Sequence, residues 1–181
     1  MKSHPIVLAV QPESTDHVRG PSHARVTLIE YGDFESAACK GAVPTLKLLL
    51  EQHPNKIRFI FRHFPNEQGH PQAVLAAEAA EAAAAQGKFW EMHDLLFQRQ
   101  PHFAPKELQA YAAAVGLDTV RYTAEMDDHI YLQKVREQID GAHRSHLHAS
   151  PAFFVGAVHQ DTTAGMRQLH ETIAQAMHRA G

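Results

Sequence analysis

The sequence predicts an α/β fold of order β-α-β, a helical insertion, then β-β-α, and three observations carry that prediction. Alternating apolar stretches at 26–31 and 57–63 flank a segment, 37–53, whose apolar residues recur with a helical period. From Pro71 to about Arg144 the pattern stays helical. Alternation returns only at Ala152-Phe153-Phe154-Val155, before a last helical stripe. The expected division is therefore one α/β domain from 1–64 and 150–181, interrupted by a helical insertion at 65–149.

Each element has its own signal. Residues 6–10 are apolar enough for a short strand, followed by a polar linker that ends in Gly20-Pro21. Val26, Thr27, Leu28, Ile29 and Tyr31 make a β-rich strand, and Ile57, Phe59 and Phe61 alternate as a second. Between them, apolar residues at 39, 42, 43, 46, 49 and 50 trace one face of a helix. Pro71 suits the first turn of an alanine-rich helix that Gly87 ends. Lys88 to Gln100 forms the next, Pro105 opens another, and Gly116 stops it. Asp118 is the expected N-cap of a short helix with Val120, Tyr122 and Met126 inward. A longer one at 129–142 presents Leu132, Val135 and Ile139. After the strand at 152–155, Gly156 turns a hairpin into Val158, and a helix at 163–180 carries Met166, Leu169, Ile173 and Met177.

Composition excludes several classes. At 181 residues the chain can bury a full core, and a formal charge of −3 gives no reason to expect nucleic acid as partner. No apolar run is long enough to span a bilayer, so no membrane role is expected. The first ten residues lack a secretory apolar region, which is roughly 7–15 residues long, so the expected location is cytoplasmic. One cysteine cannot close an internal disulfide.

That cysteine is the most informative residue. Asp33-Phe34-Glu35-Ser36-Ala37-Ala38-Cys39-Lys40-Gly41-Ala42-Val43-Pro44 places a thiol at a strand-to-helix turn with a proline five residues on. This resembles the redox helix of the thioredoxin superfamily, with Ser36 where the first, attacking cysteine stands. Val26 to Glu35, Phe61-Arg62-His63-Phe64-Pro65, Gly87-Lys88-Phe89-Trp90-Glu91-Met92-His93 and Ser150-Pro151-Ala152-Phe153-Phe154-Val155-Gly156 resemble DsbA-like thiol–disulfide oxidoreductases in order and spacing. The resemblance implies a thioredoxin-like fold (βαβ–ββα) with a helical insertion domain, and a cis Ser150-Pro151 bond lying against the redox helix.

It also implies a degenerate Ser-x-x-Cys site. In the family a low-pKa thiolate at the helix N-terminus attacks a disulfide and a second thiol resolves the mixed disulfide. Cys39 occupies the resolving position, a turn deeper on the apolar face, where burial disfavours the thiolate. It reads as a small buried hydrophobe left from an ancestral pair, and the acids Asp33 and Glu35 nearby are expected to raise its pKa further. Ser36 reads as an N-cap, since a hydroxyl neither ionises near neutrality nor forms a stable bond to sulfur. The reading is a redox-impaired relative, with Cys39 and Ser36 at the old catalytic positions and Ser150 and Pro151 holding a thiol, a disulfide-containing peptide or glutathione. One alternative is a glutathione-binding transferase or isomerase resembling the kappa class and using Ser36; another is a non-catalytic binding module. No resident cofactor or metal is expected. His146 and His148, with Cys39, would suit zinc or copper, but together with His143 they read as exposed loop histidines. His63, His70 and His93 read as packing or capping groups.

Overall fold

The computed structural model describes residues 6–163 and 165–179, the side chain of residue 179 excepted. Its elements run β1 (His17–Arg19), β2 (Val26–Gly32), α1 (Ala37–Gln52), β3 (Ile57–His63), α2 (Ala73–Ala84), α3 (Phe89–Arg99), α4 (Pro105–Ala114), α5 (Thr119–Asp127), α6 (Leu132–Arg144), β4 (Ala152–Val155), β5 (Val158–Gln160) and α7 (Arg167–Arg179). The strands form one sheet in the order β1-β3-β2-β4-β5. Only β2 and β3 are parallel, with Glu30 opposite Phe61 and Tyr31 opposite Arg62. This is a thioredoxin-like core with a helical subdomain, α2–α6, inserted between β3 and β4.

The central strands are apolar because helices and chain cover both faces of the sheet. On one face Val26, Leu28, Phe59, Phe61 and Phe153 join the buried stripe of α1 and the helices α2, α3 and α7. On the other, Ile29, Tyr31, Ile60 and Phe154 pack with Leu8, Val135, Ile139 and Ala142. The apolar face of α1 is as periodicity predicts, with Cys39, Ala42, Leu46 and Leu49 buried. In α2 the alanines at 76, 77, 79, 80, 82 and 83 are all buried, so small side chains let it lie close against neighbours on every side. The charged residues of that helix, Glu78 and Glu81, are buried too and need partners.

Several expectations are corrected. No regular strand forms at 6–10; Val7 makes only an isolated bridge to Val158. The edge strand is instead β1, antiparallel to β3 with His17 opposite Phe61, and its three residues are too few to show alternation. Val120 is 82% exposed rather than inward, because it lies two residues, about 200° of helix, from the buried Tyr122. The helix expected from 129 starts at Leu132, since His129 takes a left-handed backbone with φ 50°. Residue 180, expected in the last helix, lies outside the described residues.

Candidate active site

The β2–α1 turn is built by a buried carboxylate. Asp33 Oδ1 accepts the Glu35 amide at 2.7 Å, and its Oδ2 accepts the Asn66 amide at 2.8 Å and meets His70 Nδ1 at 2.6 Å. Glu35 turns the other way and accepts the Gln72 amide at 2.8 Å, at the start of α2. From the insertion, the Gln100 side-chain amide donates to the carbonyls of Phe34 (2.6 Å) and Ser36 (2.9 Å). Just before the turn, Gly32 is required: a Cβ there would fall 2.5 Å from the Phe61 ring. Subdomain and sheet thus fix the turn together.

Ser36 caps α1, its hydroxyl accepting the Cys39 amide at 3.2 Å. Cys39 Sγ is fully buried and accepts the Asp33 amide at 3.4 Å. Burial first, and then the charge of Glu30, push its thiol up to about 12; hydrogen bonds from Ser36, Asp33 and Ser150 act in the opposite direction but do not compensate. The acid that raises Cys39 is therefore Glu30, not Asp33 or Glu35 as the sequence suggests. At neutral pH the thiol is therefore held in its protonated form.

Glu30 is the residue that sequence reasoning passed over. It is 2% exposed, its Oε1 has no hydrogen-bond partner, and burial pushes its carboxyl up to about 8. The signal was available as a lone acid inside an apolar strand. It lines a cleft of about 310 Å³ between α1 and α3, with Lys40, Val43, Phe59, His93 and Phe97.

The Ser150-Pro151 bond is cis, and the Ser150 hydroxyl reaches Cys39, so the loop lies against the start of α1. Beside it a cleft of about 290 Å³ is lined by Phe64, Asn66, His70, His143, His148 and Ser150. The His146, His148 and Cys39 set does not assemble: both histidines are exposed and the sulfur is buried. His70 bonds Asp33, while His63 and His93 are buried, each held below its ordinary pKa by desolvation. His93 packs edge-on against Phe61 and its Nδ1 meets Asp94 at 2.8 Å. Among the described residues no helix is long and apolar enough to cross a membrane.

The family described as Thioredoxin matches residues 13–175. The chain is 40% identical over 171 residues to the Na(+)/H(+) antiporter NhaA 1 of Salinispora arenicola, covering 94% of this chain and 26% of that protein. It is 41% identical over 153 residues to the Na(+)/H(+) antiporter NhaA of Herminiimonas arsenicoxydans, covering 83% of this chain and 24% of the antiporter. The chain thus spans about a quarter of the length of these curated relatives. Among solved structures, oxidised BdbD from Bacillus subtilis superposes with a TM-score of 0.83 at 22% identity, over 95% of this chain and 98% of BdbD.

The cytoplasmic expectation is overturned by the company this fold keeps. A periplasmic thioredoxin-like protein from Salmonella enterica serovar Typhimurium matches with a TM-score of 0.69 at 18% identity, over 90% of each chain. The first residues of a folded domain carry no address, since an export signal is no part of the fold. Fold, turn, cis-proline loop and family match agree: the chain belongs to the thioredoxin superfamily, with a DsbA-like fold and a degenerate site that keeps one cysteine of the pair.

Proposed function

We propose that this chain is a redox-impaired, DsbA-like module that binds a thiol- or disulfide-bearing peptide at the Ser150-Pro151 loop without turning disulfides over. The observation that carries the reading is the state of Cys39: fully buried, with its thiol pushed up to about 12. Attack on a disulfide needs a thiolate with access, and Cys39 offers neither. Ser36, at the attacking position, is 5% exposed and committed as the cap of α1. Binding is supported by the cleft beside Ser150, whose polar lining of Asn66, His70 and His148 suits an extended peptide backbone. The likeness to named antiporters supports a place for this module beside a sodium/proton antiporter, as a fused or companion domain.

The glutathione reading has a narrower basis. The Ser36 hydroxyl already bonds the Cys39 amide and lies within reach of its sulfur, so a ligand thiolate would have to displace those contacts. Glutathione is therefore expected to bind weakly, at millimolar concentration.

The test is insulin-type disulfide reduction by the chain as it stands and by Ser36→Cys. The chain as it stands is expected to stay at background, and the variant to gain turnover, since the resolving thiol and loop remain. Equal turnover by both would show that Cys39 attacks unaided and would defeat the reading.

A further inference from the structure

β1, β3, α2 and α6 bring four chemistry-bearing side chains to one point that the redox site does not use. His17 Nε2 and His63 Nε2 both meet Glu81 Oε1, at 2.7 and 2.8 Å. Lys134 Nζ lies 2.7 Å from Glu81 Oε2 and 3.1 Å from His17 Nε2. The ligand atoms of His17, His63 and Glu81 all fall within 4.8 Å of one another. Glu81 and His63 are buried, at 2% and 1% side-chain exposure, while Lys134 is 30% exposed.

No placement of the protons turns every close contact here into a hydrogen bond. If His17 Nε2 carries a proton for Glu81, that N–H faces the Lys134 ammonium. If it is bare and accepts from Lys134, its lone pair faces the carboxylate oxygen at 2.7 Å. A divalent cation between the three groups removes the conflict, because both Nε2 lone pairs and the carboxylate then point at one positive charge. The His63 Nδ1 is unpartnered with or without an ion, so it favours neither state.

We propose that His17, His63 and Glu81 form a binding site for a divalent first-row metal ion, zinc being the natural fit, and that the Lys134 ammonium is its resident rival. Two imidazoles and one carboxylate, with a position left for water, match zinc's tetrahedral preference. Tetrahedral ligands at zinc distances stand about 3.3 Å apart, so the two short contacts have to open by roughly half an ångström. His17 is 11% exposed at the side chain, leaving a route in. Lys134 also lines an open cavity of about 240 Å³ with Thr15, Asp16 and Glu137, into which its flexible stem can swing when an ion enters.

The experiment adds zinc to the tag-free, metal-free chain, reads affinity by competition with a chromophoric chelator, and uses cobalt absorption as a probe of geometry. Wild type is expected to take up one tight equivalent of zinc, raise its melting temperature on doing so, and give a tetrahedral cobalt spectrum. His17→Gln, a change at the partly exposed ligand that spares the buried pair, is expected to lose at least the 10–100-fold that outer-shell changes cost, and to lose the cobalt spectrum. Lys134→Met is expected to bind several-fold more tightly, and a His146→Gln/His148→Gln variant to bind as wild type. The proposal is overturned if the tight equivalent is missing or survives His17→Gln, if Lys134→Met weakens binding, or if the double loop variant abolishes it. None of these outcomes bears on disulfide turnover, which rests on Cys39.

Discussion

Glu30 and Arg62 are two ionisable residues from adjacent central strands, both 2% exposed, on opposite faces of one sheet. Arg62 is fully answered. Its Nε and Nη2 meet Asp16 Oδ1 and Oδ2 at 2.8 Å each, Nη2 also donates to the Gln11 carbonyl at 3.0 Å, and Nη1 donates to the Val10 carbonyl (2.7 Å) and Tyr31 Oη (2.9 Å). Glu30 Oε1 has no partner, and the nearest consequence of its charge is a higher thiol pKa at Cys39. A buried ionisable group that is satisfied belongs to the framework, whereas one left unsatisfied marks the site. Here the face with the orphaned acid is also the face with the thiol, and burial first, then that acid, push the thiol above its ordinary pKa.

The largest effect is expected at Glu30. Its unfolded carboxyl titrates near 4.5 and its folded one at about 8, so the folded state holds the proton longer. Stability from this group is intact below pH 4.5 and is lost as pH rises through 8, by on the order of 5 kcal/mol. Glu30→Gln should therefore unfold at higher denaturant than wild type at pH 9, and the gap should close at pH 5. Denaturant melts showing no pH-dependent gap would mean that Glu30 is not held neutral.

On the opposite face the sign reverses. Arg62→Met leaves Asp16 buried without its partner and is expected to cost about 3–5 kcal/mol at neutral pH. A loss below 1 kcal/mol in urea unfolding would show that water reaches Asp16, and the contrast between the faces would weaken. The smallest effect is at the turn. Ser36→Ala removes the cap of α1 and should cost about 1 kcal/mol. A much larger loss would give the hydroxyl a role beyond capping.

What the sequence showed and what it hid follow from the same physics. β2, β3, β4 and the buried stripe of α1 were legible because burial imposes a period on ten or so neighbouring residues at a time. The degenerate site was legible because Ser36, Cys39 and Pro151 lie in short, ordered segments. β1 was not, since three residues gain their structure only from β3. Nor was the cluster of His17, His63, Glu81 and Lys134, whose members stand far apart in sequence and meet only through folding. Asp33 was seen but given the wrong effect. Its charge was expected to act on Cys39, yet the fold turns the carboxylate toward Asn66 and His70 and offers the sulfur its amide instead.

The state of Cys39 can be measured directly by alkylation of the folded chain with iodoacetamide across pH. The account predicts almost no native labelling from pH 6 to 9, prompt labelling once the chain is unfolded, and a native midpoint near the value of about 12 to which burial and Glu30 push the thiol. Rapid labelling of the folded chain at pH 7, with a midpoint below the 9.0 of an ordinary thiol, would contradict it.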